Sequence, residues 1–142
     1  MTRYLLDTNI ISNATKLAPS EALLGWLGAQ ADEDLFISTF SIAEIWRGIL
    51  EKNEGKKRRV LEDWFAGAEG PQNLFAGRVL GFDEQAALVW GRLMAHGREL
   101  GQPRSAIDMM IAAVAIANGC VVATDNERHF QSVVEFFNPL KA

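Results

Sequence analysis

Four acidic residues fall where apolar segments give way to turns or helices: Asp7 in YLLDTN, Glu44 in SIAEIW, Asp108 in SAIDMM and Asp125 in VATDNE. If folding gathers them, the carboxylates repel one another, by about 4 kcal/mol for a pair about 4 Å apart at an effective dielectric near 20. Such a crevice needs bound protons or a cation. A hard dication, Mg²⁺ or Mn²⁺, takes oxygen ligands and keeps waters that a phosphate can displace, so the chemistry open to these residues together is metal-assisted attack on a phosphate ester.

Taken singly, each acid also has a plainer use. Ser41-x-x-Glu44 and Ser105-x-x-Asp108 both fit the capping box, in which the acid folds back to the first amide of a helix. Asp7 and Asp125 can close turns at strand ends. Rival chemistries find little material. His96 and His129 lack a second histidine at helical spacing and read as surface residues, and the one cysteine, Cys120, sits in an apolar run as a buried, inert thiol. No glycine-rich phosphate loop and no Gly-x-Ser-x-Gly elbow occurs, so Ser41 and Ser105 read as caps.

The elements that must position the acids alternate along the chain. Residues 3–6, 35–38, 79–80, 121–124 and 133–137 read as strands. Helices are expected over 8–16, from a Ser20 cap through Leu27, and over 41–51, 54–68, 83–100 and 105–118, with Gly119 as the terminating glycine and a helical turn at 127–130. Strand–helix alternation predicts a parallel sheet covered on both faces. In such a sheet the strand C-termini and helix N-termini share one edge, where ligands bind. Asp7 and Asp125 would lie just past strand ends and Glu44 and Asp108 in first helical turns, so all four should point to that edge.

A chain of 142 residues with 49% hydrophobic and 23% charged content fits one domain with a substantial core. No apolar run is long enough to span a bilayer, and the start runs straight into a strand without the pattern of a signal peptide, which leads us to expect a cytoplasmic protein. The formal net charge of −4 creates no global attraction for nucleic acid, so a polyanionic substrate would have to be held locally. Arg47, Lys52, Lys56, Lys57, Arg58 and Arg59 form the one dense basic cluster, which could be a solvated helix face or a phosphate contact, and Arg104 could reach the crevice of Asp108. Trp26, Trp46, Trp64 and Trp90 fall on helices, where they suit core or subunit packing better than base stacking.

Taken together, LLDTN at the start, S-x-A-E ending at Glu44, the helix SAIDMMIAAVA and VATDN-x-x-x-F before a late Asn-Pro resemble the PIN-domain ribonucleases of VapC-type toxins, most of all their FitB-like branch. The resemblance covers essentially the whole chain. It implies one PIN domain over residues 1–142, built as a three-layer α/β/α sandwich around a parallel sheet. The implied activity is that of an Mg²⁺- or Mn²⁺-dependent endoribonuclease, the toxin of a type II toxin–antitoxin pair, leaving 5′-phosphate and 3′-hydroxyl ends. A small antitoxin would hold it inactive, the toxin would be a homodimer, and promoter DNA would be met only through the antitoxin. Asp7, Glu44 and Asp108 match the family's first three acids. Many relatives read T-x-D at the fourth, which puts Asn126 at the acid's place and Asp125 one residue early, so either could serve. On this reading Asp7 and Asp108 hold the metal, while Glu44 and Asp125 or Asn126 orient the attacking water. Thr8, Asn9, Arg104, Thr124 and Asn126 would then hold the carboxylates or the phosphate. A rival from another class makes the chain a non-catalytic, antitoxin-binding module of transcriptional autoregulation whose acids are caps.

Overall fold

Leu5 and Leu6 are neighbours in sequence, yet they enter different cores, because successive side chains of a strand point to opposite faces of a sheet. In the computed structural model, which describes residues 1–142, the strands are β1 (Arg3–Leu6), β2 (Leu35–Ser38), β3 (Val79–Leu80), β4 (Cys120–Ala123) and β5 (Phe136–Phe137). They form one sheet in the order β3-β2-β1-β4-β5, with every pair parallel. The helices are α1 (Thr8–Ala14), α2 (Glu21–Ala29), α3 (Thr39–Leu50), α4 (Lys56–Ala66), α5 (Pro71–Leu74), α6 (Glu84–Glu99), α7 (Ala106–Ala117) and α8 (Glu127–Phe130).

On one face Leu5, Phe36 and Val122 pack with Ala86 of α6, Ala112 and Val114 of α7, and Phe130 of α8. On the other Leu6, Ile37 and Ala123 meet Ile10 and Ile11 of α1, Leu23 of α2 and Phe75 beyond α5. The result is the α/β/α sandwich expected from the alternation. Helix α7 is buried from Ile111 through Ala115, and its small residues let it lie close against both the sheet and α6. Fully burying a side chain such as Leu5 or Val122 stabilises by roughly 1.5–3 kcal/mol, so the strands that carry the site are also the best-anchored part of the fold.

The order of the strands matters most for function. From β1 the chain steps outward to β2 and β3, then returns to the other side of β1 for β4 and β5. The C-terminal ends of β1 and β4 therefore flank the point where the winding reverses, the place where such sheets open a crevice. Register seals the pairing: Leu6 lies opposite Ala123, and the Asp7 amide donates to the Ala123 carbonyl at 2.9 Å.

Three local expectations change. Helix α3 starts at Thr39 with Ser38 as its cap, because the Ser38 hydroxyl accepts from the Ser41 amide, so Glu44 stands in the second turn instead of the first. The last strand shortens to Phe136–Phe137, and Pro71, whose ring suits a first helical position, opens the extra short α5. The tryptophans make contacts within the chain without being fully buried: Trp26 sits edge-on to Tyr4, Trp46 stacks on Phe65 while 37% exposed, and the Trp90 indole N–H donates to the Ala106 carbonyl. Within the basic cluster Arg47 pairs with Glu51 and Arg58 with Glu62, as on an ordinary solvated helix face. No helix is long and apolar enough to cross a membrane.

Candidate active site

Asp7 follows directly from β1, caps α1 and is only 5% exposed. Its Oδ1 accepts the Thr8 amide at 2.9 Å, while its Oδ2 accepts the Asn9 side-chain amide at 3.1 Å and the Thr124 hydroxyl at 2.8 Å. A carboxylate offers about four lone-pair sites, so three donors leave room for one further ligand. Thr124, fully buried at the end of β4, also accepts the Asn126 amide at 3.0 Å, and the Asn9 side-chain oxygen accepts the Asp125 amide at 3.1 Å. The ends of the two central strands are thereby laced together around one carboxylate.

Glu44 approaches from α3. Thr8 Oγ1 lies 2.8 Å from Glu44 Oε1 and 2.9 Å from Ser41 Oγ. A hydroxyl has one proton, which goes to the charged oxygen, so Ser41 donates to Thr8 in turn. The capping-box reading of Glu44 fails, since the helix begins a turn earlier and the carboxylate is held by Thr8. Asp108 approaches from the first turn of α7, where its amide donates to the Ser105 cap at 3.3 Å. Its carboxylate does not close the box; Oδ2 instead lies 2.9 Å from His129 Nδ1. His129 is a surface residue as expected, but it is also part of the site, and no local pattern marks it in the sequence.

Burial pushes the Asp7 carboxyl above its ordinary range, and the charges of Glu44 and Asp108 push the same way, against the opposing hydrogen bonds from Thr124 and Thr8. Glu44 and Asp108 thus lie near enough for their charges to act on Asp7. Asp125 is not among the charges acting on Asp7; its Oδ1 accepts the Asn138 side-chain amide at 3.2 Å. Asn126, with no hydrogen bond to its own side chain, offers an uncommitted amide at the same turn. Arg104 lines the cleft beside Asp108, but its guanidinium donates to the Leu93 carbonyl at 2.7 Å and lies 3.4 Å from His96 Nδ1. These contacts tie α6 to the α7 entrance and leave the guanidinium charge unpaired on the cleft wall.

No three His, Cys, Asp or Glu side chains stand close enough to close directly around an ion. The donor set still suits a hard dication: it is all oxygen, and Mg²⁺ is commonly held by one or two carboxylates with several waters retained. Asp7, with an oxygen lone pair to spare and a charge disfavoured by burial, and Asp108, fixed by His129, are the residues that fit this role.

The raised Asp7 pKa has a testable sign. A group whose folded pKa exceeds its unfolded value adds most stability below the ordinary carboxylate range, and that contribution is lost as pH rises through the folded value. In chelator-containing buffers, wild-type protein should lose stability relative to Asp7→Asn across that window. Thermal melts at a series of pH values measure the difference; a gap that stays flat contradicts the assignment.

A model of the family described as "PIN domain" matches residues 4–135. The chain is 36% identical to toxin FitB of Neisseria gonorrhoeae over 136 residues, covering 95% of this chain and 96% of that protein. It is also 36% identical to VapC ribonuclease Y4jK of Sinorhizobium fredii, again over 95% and 96% of the two chains. Among solved structures it is similar to that of FitAB bound to a DNA fragment, with a TM-score of 0.88 and 34% identity over 96% of this chain and 95% of the other. With a sheet, a carboxylate crevice and a full-length match all pointing the same way, the chain belongs to the PIN-domain family, in the branch that includes the FitB toxin.

Proposed function

We propose that this protein is the toxin of a toxin–antitoxin pair and an Mg²⁺- or Mn²⁺-dependent endoribonuclease, acting as a single PIN domain. What supports the reading is the place of Asp7 at the sheet's reversal point, with Glu44 linked to its neighbour Thr8 and with the charges of Glu44 and Asp108 both acting on it. Its similarity to proteins named toxin FitB and VapC ribonuclease supports the choice of reaction.

Asp7 and Asp108 would hold the dication, which when bound would supply positive charge to the scissile phosphate and acidify the attacking water. Thr124, Asn9 and the Thr8 amide keep the Asp7 oxygens fixed, and His129 fixes Asp108, so little reorganisation is needed when charge develops. Glu44, exposed and held by Thr8, orients the water and takes up its proton. The Asn126 amide completes the polar wall, whereas Asp125 acts at most through the turn it shares with Asn9 and Asn138. Water adds at phosphorus and the bond to the 3′ oxygen breaks, giving a 5′-phosphate and a 3′-hydroxyl.

The partner in this reading is a small antitoxin, with promoter DNA reached through it; the DNA-bound FitAB structure supports that arrangement. A homodimer follows the family habit, and a cytoplasmic place of action follows the sequence expectation of no spanning helix and no signal peptide. The module reading, in which the acids are caps, is disfavoured by Glu44 and Asp108, whose carboxylates serve Thr8 and His129 instead. The test is cleavage of single-stranded RNA with Mg²⁺, with chelator, and with Asp108→Ala. Cleavage only in the first condition is expected; cleavage that persists in chelator or in the variant contradicts the proposal.

A further inference from the structure

Two clefts open on either side of the acids. One, of about 490 Å³, has Thr8 and Glu44 on its wall together with Lys16 and Lys52. The other, of about 680 Å³, begins at Asp108 and His129 and runs between the α6–α7 connection and the segment after α8, past Gln102, Arg128 and Gln131. The first cleft reaches Asp7 through its neighbour Thr8, which bonds Glu44, and the second ends on Asp108, so the acids stand between the two. Lys16, Lys52 and Arg128 are exposed and take part in none of the chain's ion pairs, which are Arg47–Glu51, Arg58–Glu62, His129–Asp108 and Lys141–Glu127. Most of the chain's cations are unpaired, but these stand on the cleft walls, Lys16 and Lys52 on one side and Arg128 with Arg104 on the other, where a polyanion passing over the acids would meet them.

The larger cleft is more than a continuation of the track. Gln102 and Gln131 are exposed, and their side-chain amides make no hydrogen bond within the chain, so each keeps donors and an acceptor for a partner. No Phe, Tyr or Trp lines this cleft; the one aromatic ring on its wall is the His129 imidazole, held by Asp108 through Nδ1. Single-stranded RNA is read by stacking on such rings and by hydrogen bonds to the exposed base edges. Building on the proposed ribonuclease function, we infer that a single strand of RNA runs from the Lys16–Lys52 cleft across the acids, and that the nucleotide next to the scissile phosphate seats its base between His129, Gln102 and Gln131, with its phosphate on Arg128. These residues then set which base flanks the cut.

Two readouts test this on the full-length chain. The first is the salt dependence of binding of a labelled single-stranded RNA to Asp7→Asn, which binds without cutting. Arg128→Gln added to that background should flatten the slope of log affinity against log salt by about 0.7, the share of one phosphate contact on a single strand. Arg59→Gln, on α4, should leave it unchanged. The second is a cleavage-site profile on a random RNA pool. Gln102→Ala with Gln131→Ala should change the preference at one position beside the cut by roughly tenfold, the size of a lost base-edge contact. These side chains are exposed, so the variants are expected to fold. A flattened slope for Arg59→Gln but not for Arg128→Gln would put the strand over α4 and overturn the inference, as would a profile unchanged in the glutamine variant. A wild-type chain that cuts no RNA at all would instead overturn the ribonuclease reading beneath it.

Discussion

Asp7→Asn is expected to lower RNA cleavage at saturating Mg²⁺ by at least about 10³-fold while leaving the metal-free protein folded. Removing a single preorganised group that acts on transition-state charge commonly costs 10²–10³-fold, and Asp7 additionally carries a ligand charge. The substitution is nearly isosteric. Its amide oxygen still accepts the Thr8 N–H and the Thr124 hydroxyl can turn to accept from its amino group, while the Asn9 side-chain amide, which donated to the replaced oxygen, loses that acceptor. Removing a buried charge that Glu44 and Asp108 repel offsets the lost Asn9 contact, so a melt in chelator should show little net change in stability at neutral pH. Initial rates and melts on the same preparation separate the two effects. An inactive variant that is also unfolded would make Asp7 a structural residue and nothing more.

Thr124→Val should produce the second largest effect, and on both axes. The hydroxyl is fully buried; it donates to Asp7 Oδ2 and accepts the Asn126 amide and, more weakly at 3.4 Å, the Asn9 side-chain amide. Valine keeps the shape but leaves each of these groups with one partner fewer, and an abandoned buried polar group costs roughly 1–3 kcal/mol. At neutral pH the variant should melt lower, by roughly 2–4 °C per kcal/mol for a domain near this size. Cleavage should fall about 10–100-fold through misoriented Asp7, the usual cost of losing a residue that holds a metal ligand. Thr124→Ser retains the oxygen and should recover most of both. A stable, fully active valine variant would mean that the Asp7 orientation is set without Thr124.

The parts of the site that were legible in the sequence are those fixed by local periodicity. Apolar runs ending in Asp7 and in Thr124-Asp125 mark two strand ends, and parallel α/β alternation sends both to one edge. The strand order that makes them neighbours is set by packing across the sheet, with Leu5 and Val122 in one core and Leu6 and Ala123 in the other. No residue pattern announces it.

The misplaced cap of α3 has a similarly physical cause. Ser38 and Ser41 are one turn apart and both can cap, but Ser38 sits where β2 ends, so the helix starts there and Ser41 is buried against Thr8. Glu44 keeps its place in the site for a different reason than the capping box suggested. His129 was hidden because its partner Asp108 is remote in the chain and is met only once α8 docks on α7. Arg104 does share the cleft of Asp108, but the sequence gives no sign that its guanidinium also reaches the Leu93 carbonyl over Gly97, where a Cβ would come within 2.8 Å of its side chain.

The central claim is that distant carboxylates, brought together at the β1–β4 junction, bind one hard dication. Titrating Mn²⁺ into the full chain near neutral pH, with free Mn²⁺ followed by electron paramagnetic resonance, measures this directly. The account predicts saturable uptake by the wild type that disappears in the Asp7→Asn, Asp108→Asn double variant. Equal uptake by both proteins, or none by the wild type, would contradict it.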